Sequence, residues 1–278
     1  MLCGVALTGC ALPFLLPLSL PEVRALATVF TLGLSFRALQ FAAGHVRPQG
    51  WVDFLFFVFS TFAVVRWKTP RRPDPRRAAL AFGTCLLQLG LAWLLMRFVA
   101  QLDPHHPVQL VTAQLGLYLV VAAICNFSQV KLSLRGLDYD DAFNNPLASR
   151  TPAEFWGQRW NTLISHLLHR YVFLPAGGRR HPLRGVLAAF AASGVLHEVL
   201  VYMVTCKFSG SMFAYFGLQG VLVASTSRSR FVRRLARERP VIAWALTTLV
   251  MLGTGVLFVR GLDGADPSEA WRRVFGPT

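Results

Sequence analysis

One stretch of the chain decides the fold: residues 184–206 read RGVLAAFAASGVLHEVLVYMVTC. A helix needs roughly 20 mostly apolar residues to cross the hydrocarbon core of a membrane, and this stretch has that length. His197 and Glu198 lie in its middle. An ionisable group at that depth costs roughly 3 kcal/mol if it is charged and unpaired, so such groups usually face the bundle interior or a water-filled cavity. The stretch therefore predicts a transmembrane helix that carries a polar site.

The residues alone leave two interpretations of this pair open. A neutral imidazole at His197 could act as a general base. Alternatively, His197 and Glu198 could form a hydrogen-bonded pair that joins helices. Ser193 lies one turn before His197, and Gly194 lies one turn before Glu198. Together with Gly185 and several alanines they give the helix a small-residue surface, against which neighbouring helices can pack closely in a membrane.

The whole chain has the composition of a polytopic membrane protein. Of its 278 residues, 54% are hydrophobic and only 15% are charged, and the mean hydropathy is +0.47. These values exclude a disordered chain and differ from those of an ordinary soluble domain. Seven further segments approach the length of a span, at 2–20, 23–44, 51–67, 78–100, 108–127, 210–226 and 241–260. We therefore predict a single domain over residues 1–278, folded as an all-α membrane bundle of about eight transmembrane helices, with a range of seven to nine.

The formal charge of +15 is sorted by position along the chain. With these spans, 21 of the 28 lysines and arginines fall on alternate joints, and Arg24 in the first joint is one of them. Short cytoplasmic loops retain Lys and Arg, whereas short translocated loops do not. The basic loops are therefore predicted to face the cytoplasm, with membrane lipids as partners and no nucleic acid.

The segment 128–183, which we call the insert, is too polar to cross the membrane and too aromatic to be a linker. Thr151, Pro152 and Glu154 form the pattern of a helix start, with Thr as the N-cap, Pro at the first helical position and Glu three residues after the cap. We predict one helix that begins at 152 and continues until Pro175 and the glycine pair 177–178 end it.

Apolar side chains recur along this predicted helix at three- and four-residue spacing. They include Trp156 and Trp160, while Arg159 belongs to a polar face. This pattern predicts an amphipathic helix that lies in the headgroup zone or at the edge of the bundle.

Four blocks of the chain, taken in order, are similar to a known family. They read FNNP at 143–146, FWGQRWN at 155–161, YVFLP at 171–175 and SGVLHE at 193–198. Together they resemble the wax synthase branch of the membrane-bound O-acyltransferases. The second and fourth blocks are the specific pairing, with 36 residues from Asn161 to His197. The chain departs from the family at Gln158, where a second arginine is common, and it is short for the eukaryotic members.

The resemblance implies transfer of an acyl group from a fatty acyl-CoA to an alcohol hydroxyl, with release of an ester and free CoA. Carried over by position, His197 is the implied catalytic base, which takes the proton of the acceptor hydroxyl. Asn161 is the implied partner, which orients the substrate or stabilises oxyanion charge. We expect further residues of the two blocks to bind the substrates, namely Trp156, Arg159, Trp160, Ser193 and Glu198. Acyl-CoA is expected as a co-substrate, with no cofactor and no metal.

Two other classes of function are alternatives to this one. A transporter or channel would use His197 and Glu198 in a proton or solute path, but the sequence has no convincing internal repeat of the kind common in transporters. A metal-dependent oxidase or desaturase would need clustered histidines, and the pairs 105–106 and 166/169 are too few.

The expected location is a bacterial inner membrane or the endoplasmic reticulum membrane. The sequence does not determine the acceptor alcohol, the acyl chain length or the oligomeric state, because the dimensions of a pocket do not follow from periodicity.

Overall fold

The computed structural model describes residues 11–42, 50–52, 54–55, 64–66, 72–101 and 107–261. The helices are α1 (Pro21–Ala42), α2 (Pro75–Val99), α3 (Pro107–Leu134), α4 (Pro152–Glu154), α5 (Thr162–Leu168), α6 (Pro182–Thr205), α7 (Ser211–Arg228), α8 (Arg230–Glu238) and α9 (Pro240–Gly261). Within these ranges the only strands are β1 (Val64–Arg66) and β2 (Asp138–Asp140), which form a short antiparallel pair. Apart from this pair, the predicted all-α fold is confirmed.

Four of the described helices are long and apolar enough to cross a membrane. They are α2, α3 from Val108, α6, and α9 as far as Val259. They form where spans are predicted at 78–100, 108–127, 184–206 and 241–260, and they support a helical membrane protein.

The predicted count of about eight spans is not supported. Helices α1 and α7 form at the predicted 23–44 and 210–226, but neither is among the four; α7 contains several polar residues. The described half of the predicted 2–20 span holds a single 3₁₀ turn, Leu12–Leu15, in place of an α-helix. Most of the predicted 51–67 span lies outside the described residues.

Helices α6 and α7 form a closely packed hairpin. An added Cβ at Gly194 would lie 3.3 Å from the Cα of Phe213, and one at Gly220 would lie 2.9 Å from the Cβ of Phe190. These two glycines let the helix backbones approach, as expected for small residues at a membrane helix interface. The turn between the helices passes through Gly210 at φ +74°, in the left-handed region that glycine adopts without strain.

Helices α2 and α3 form a second hairpin, whose open end carries the β pair. The N–H of Asp74 donates to the carbonyl of Ser133 at 3.0 Å, and the Asp74 side chain caps α2 by accepting the N–H of Arg77 at 2.9 Å. The hydroxyl groups of Ser133 and Tyr139 lie 3.0 Å apart. These bonds hold the start of α2, the end of α3 and β2 together at one end of the bundle.

Arg24 corrects the predicted distribution of charge. Its guanidinium is buried and donates at 2.7 Å to the carbonyl oxygen of Met203, near the end of α6. Arg184 lies in the first turn of α6, about 28 Å away along the helix axis. The predicted spans place these two arginines on the same side of the membrane, whereas in the structure they lie at opposite ends of α6. Carbonyl groups at a helix C-terminus attract a cation, so the end of α6 stabilises the buried guanidinium of Arg24 although it is not exposed to water.

The predicted helix start at 152 is confirmed. The hydroxyl of Thr151 accepts the N–H of Glu154 at 3.0 Å, and the carboxylate of Glu154 accepts the N–H of Arg150 at 2.8 Å. The first bond satisfies an N–H group that the first helical turn leaves without an intrahelical partner, and the second ties the residue before the cap to that turn.

The prediction of one continuous helix from 152 to 175 is wrong. After α4 the chain forms a π-helical turn at Phe155–Arg159, and Asn161 then adopts the left-handed conformation with φ 41°. Helix α5 begins afresh at Thr162 and passes into a second π-helical turn at His169–Phe173. Contacts with a distant loop hold the break, since Thr162 donates through its N–H to the carbonyl of Ala142 at 2.9 Å. The periodicity of a segment does not predict a contact with a loop elsewhere in the chain.

Candidate active site

A cavity of about 500 Å³ lies among α1, α3, α6, α7, α9 and the insert. Aromatic and aliphatic side chains make up most of its wall, and this volume is within the range of small-molecule sites. His197, Asn161, Trp156, Trp160 and Ser193 all line it. Five of the seven site residues predicted from the sequence are therefore brought to one cavity by elements far apart in the chain.

His197 is held by the backbone of its own helix and by two aromatic rings. Its Nδ1 lies 2.8 Å from the carbonyl oxygen of Ser193. A carbonyl oxygen only accepts, so in the neutral ring Nδ1 carries the proton and Nε2 carries the lone pair. The imidazole lies 4.3 Å from the ring of Phe216 and 5.8 Å from that of Phe258, measured between centroids. This geometry leaves Nε2 as the nitrogen that can accept a proton in the cavity.

Asn161 occupies the break between the first π-helical turn and α5. Its Oδ1 caps α5 by accepting the N–H of Ile164 at 3.3 Å. An asparagine suits this position because it tolerates the left-handed region and is among the best N-caps. Among the described residues its Nδ2 group has no hydrogen-bond partner, so the amide has a donor to offer to a molecule in the cavity.

A row of rings joins the two blocks that hold His197 and Asn161. Trp160 lies 6.1 Å from Trp156, Trp156 lies 5.9 Å from Phe216, and Phe216 contacts His197 as described above. Trp160 also stacks on Phe155 at 5.2 Å. The apolar side chains predicted to form one face of the insert thus form part of the wall of the cavity.

Arg159 does not line the cavity. Its guanidinium binds the carboxylate of Glu154 at 2.7 Å and donates to the carbonyls of Asn144 at 3.1 Å and Asn145 at 3.3 Å. Arg159 therefore fastens the FNNP block to the π-helical turn. The N–H of Thr162 is accepted by Ala142, the residue just before this block.

Glu198 also lies away from the cavity, although it follows His197 in sequence. Its Oε1 accepts the N–H groups of Ser209 at 2.7 Å and Gly210 at 2.8 Å, and its Oε2 accepts that of Met212 at 3.3 Å. These are the free N–H groups at the start of α7, where Gly210 has no side chain to serve as a cap. A carboxylate is favourable at a helix N-terminus, so Glu198 holds α7 to α6 and forms no pair with His197.

Sequence reasoning missed Gln219, which is fully buried in α7. The amide oxygen of Gln219 accepts the indole N–H of Trp156 at 3.0 Å, and its Nε2 donates to the hydroxyl of Thr254 at 2.8 Å. The available signal was an uncharged polar residue in the middle of a predicted span, since such residues commonly form hydrogen bonds between membrane helices.

The histidines that a metal-dependent enzyme would need do not form a ligand cluster in the described part of the chain. His166 is exposed, and the ring of His169 stacks on Phe173 at 5.0 Å. His105 and His106 lie outside the described residues. In the part of the chain that the structure describes, no three His, Cys, Asp or Glu side chains are grouped so that they could hold a metal ion.

Comparisons with known proteins point to one family. The Membrane bound O-acyl transferase family matches residues 139–218. A probable long-chain-alcohol O-fatty-acyltransferase 7 of Arabidopsis thaliana is 28% identical over 240 residues, which cover 79% of this chain and 68% of that protein. The long-chain-alcohol O-fatty-acyltransferase of Simmondsia chinensis is 32% identical over 161 residues, which cover 53% of this chain and 44% of that enzyme. The chain is thus similar to the membrane-bound O-acyltransferase family, and in particular to its long-chain-alcohol O-fatty-acyltransferases.

The family match coincides with the site. Its range, 139–218, contains Asn161, His197 and the N-terminal half of α7 that Glu198 caps. A further Arabidopsis thaliana relative, the probable long-chain-alcohol O-fatty-acyltransferase 3, is 33% identical over 138 residues, or 44% of this chain and 40% of that protein. Nothing in these similarities supports the transporter alternative.

Proposed function

We propose that the protein is a membrane-embedded O-acyltransferase that moves an acyl group from acyl-CoA to the hydroxyl of an alcohol. The observation that carries this proposal is the cavity that contains both His197, with its Nε2 open, and the amide of Asn161. The names of the relatives, which are long-chain-alcohol O-fatty-acyltransferases, give the same reaction class.

The proposed reaction uses the two residues in different roles. His197 Nε2 takes the proton of the acceptor hydroxyl while the hydroxyl oxygen attacks the carbonyl carbon of the thioester. The amide of Asn161 donates from Nδ2 to the oxyanion of the tetrahedral intermediate. The carbon–sulfur bond then breaks, the ester forms, and the departing CoA thiolate takes the proton back from His197. Both products leave with the histidine neutral again.

The proposed binding roles follow from position in the cavity. Trp156 and Trp160 present flat apolar surface, which suits acyl and alkyl chains, and Ser193 lies beside His197 on the cavity face of α6. The apolar wall favours a fatty acyl group and an apolar alcohol over a water-soluble acceptor. Arg159 and Glu198 act on the substrates indirectly, by holding the FNNP loop and the α6–α7 hairpin in place.

The proposed topology keeps the basic joints on the cytoplasmic side of a bacterial inner membrane or the endoplasmic reticulum membrane. Arg179, Arg180 and the arginine-rich helix α8 lie at the end of the bundle where α6 begins and α7 ends. Helices α1 and α7 line the cavity together with α3, α6 and α9, so we infer that they complete the membrane bundle. Acyl-CoA would then reach the cavity from the basic end, where its phosphates remain in water.

Ester formation by the purified protein tests the proposal. The protein in lipid nanodiscs is given radiolabelled fatty acyl-CoA and a panel of alcohols, and ester and free thiol are both measured. We expect equal amounts of ester and thiol, and a loss of at least 100-fold in His197→Ala. His166→Ala is the matched control, since this exposed histidine does not line the cavity. Undiminished turnover in His197→Ala would refute the mechanism, and pH-driven flux without thioester consumption would favour a transporter.

A further inference from the structure

Gln219 joins three elements of the site. Its side chain is fully buried, and both ends of its amide are used: the oxygen accepts from Trp156 in the insert, and the nitrogen donates to Thr254 in α9. The Thr254 hydroxyl in turn donates to the carbonyl of Val250, one turn earlier in α9, at 2.6 Å. A buried amide needs such partners, because an unmade hydrogen bond is costly in apolar surroundings.

The network touches both halves of the site. On α7, Gln219 lies one turn after Phe216, and on α9, Thr254 lies one turn before Phe258; these are the two rings that contact His197. On the other side, Trp156 belongs to the π-helical turn that leads directly to Asn161. The same hydrogen bonds therefore fix the distance between the helices around the histidine and the turn that carries the asparagine.

We propose that Gln219 is a positioning residue, which aligns Asn161 with His197 for acyl transfer. The inference rests on the proposed function. Without the amide oxygen of Gln219, the indole N–H of Trp156 has no acceptor and the turn shifts toward another one. A displacement of about 1 Å between reacting groups can lower a rate by about 100-fold. The expected loss is therefore in kcat, with little change in KM.

The same residue could serve only to hold helices together, as polar residues do in many membrane bundles. The chain contains a matched example of that role: Asn126 on α3 donates to the amide oxygen of Gln88 on α2 at 2.7 Å, and neither residue lines the cavity. Gln88→Leu makes the same chemical change at a helix–helix contact outside the cavity wall. It is therefore the control for Gln219→Leu.

The test compares kcat, KM and the unfolding temperature of both variants in nanodiscs with acyl-CoA and the best alcohol of the panel. We expect Gln219→Leu to lower kcat by about 10- to 100-fold, with KM within about threefold. Gln88→Leu is expected to lower the unfolding temperature while leaving kcat within about twofold. Equal kcat losses in the two variants, or an unchanged kcat in Gln219→Leu, would overturn the positioning role.

A second measurement asks whether the effect passes through Asn161. In an Asn161→Ala background, Gln219→Leu is expected to lower kcat by less than about twofold more, because the group that it positions is gone. An undiminished further loss would overturn the proposal.

A second position keeps the proposal testable if Gln219→Leu does not fold. Thr254 is outside the cavity lining, so Thr254→Val removes the hydroxyl that fixes Gln219 and leaves the wall unchanged. We expect it to lower kcat, and Thr254→Ser to restore the wild-type kcat; equal values for all three proteins would overturn the proposal. Absence of ester from the wild-type protein is a separate result, and it would count against the proposed function.

Discussion

Two substitutions of Glu198 are predicted to have different effects. Glu198→Gln keeps an oxygen for the two short bonds from Ser209 and Gly210, and loses the 3.3 Å bond from Met212 together with the charge at the start of α7. We expect this to cost about 1–2 kcal/mol of unfolding free energy. Glu198→Ala leaves three backbone N–H groups without an acceptor, two of them only partly buried, so its expected cost is about 3–5 kcal/mol.

Thermal unfolding in detergent measures this difference. A chain of this size loses about 2–4 °C for each kcal/mol, so Glu198→Gln should lower the unfolding temperature by a few degrees and Glu198→Ala by about 10 °C. Glu238→Gln is the matched control. Glu238 forms an exposed pair with Arg234 on α8, and such pairs contribute at most about 1 kcal/mol.

The same samples separate a structural role of Glu198 from a chemical one. Because its carboxylate does not line the cavity, Glu198→Gln should keep kcat for ester formation within about threefold of wild type once the amounts of folded protein are matched. A loss of more than about 100-fold at a near-normal unfolding temperature would show that the carboxylate takes part in the chemistry, and the reasoning from its hydrogen bonds would be wrong.

Four further outcomes follow from the geometry. His197→Ala is expected to lower kcat by about 10²- to 10⁴-fold while leaving the unfolding temperature unchanged, as read from ester assays and thermal scans of one preparation. Asn161→Asp should keep the cap of α5 and therefore the unfolding temperature, yet lower kcat by about 10²- to 10³-fold because a carboxylate offers no donor; a normal kcat would remove Asn161 from the mechanism. Ser193→Ala should raise KM by a few fold at constant kcat, since its backbone carbonyl still holds His197, whereas a loss confined to kcat would contradict this. Gly210→Ala should destabilise the protein by about 1–2 kcal/mol, because the backbone of Gly210 is left-handed. Gly217→Ala, in open space on α7, should instead raise the unfolding temperature. The same shift of the unfolding temperature in both variants would argue against backbone strain at Gly210.

The sequence was most informative where the deciding interactions are local. Length and hydropathy over about 20 residues predicted α2, α3, α6 and α9, because a helix in a membrane satisfies its own backbone hydrogen bonds. The cap at Thr151 predicted the start of α4 for a similar reason, since its two hydrogen bonds join residues at most four apart.

The residues whose roles the sequence did not predict have hydrogen-bond partners far away in the chain. The sequence predicts Arg24 in a loop, but the carbonyl that it binds is 179 residues away, on Met203. The break at Asn161 depends on hydrogen bonds between Thr162 and the loop that precedes the FNNP block. Gln219 accepts a hydrogen bond from a residue 63 positions away and donates one to a residue 35 positions away. Hydrophobic periodicity indicates which side of a segment faces an apolar environment and which faces a polar one. It does not indicate which polar group from elsewhere in the chain forms a hydrogen bond with that segment.

Only some residues of the SGVLHE block take part in the proposed reaction. Successive residues of a helix point about 100° apart, so neighbouring letters serve different neighbours: Gly194 meets the backbone of Phe213, Glu198 meets the first turn of α7, and only His197 turns its side chain to both the cavity and two aromatic rings. Two of the block's residues therefore specify how one hairpin docks. A related chain that kept this hairpin but abandoned ester synthesis would be expected to retain the glycine and the glutamate and to vary at the histidine, so a match to the block without its histidine would indicate ancestry and fold, not activity.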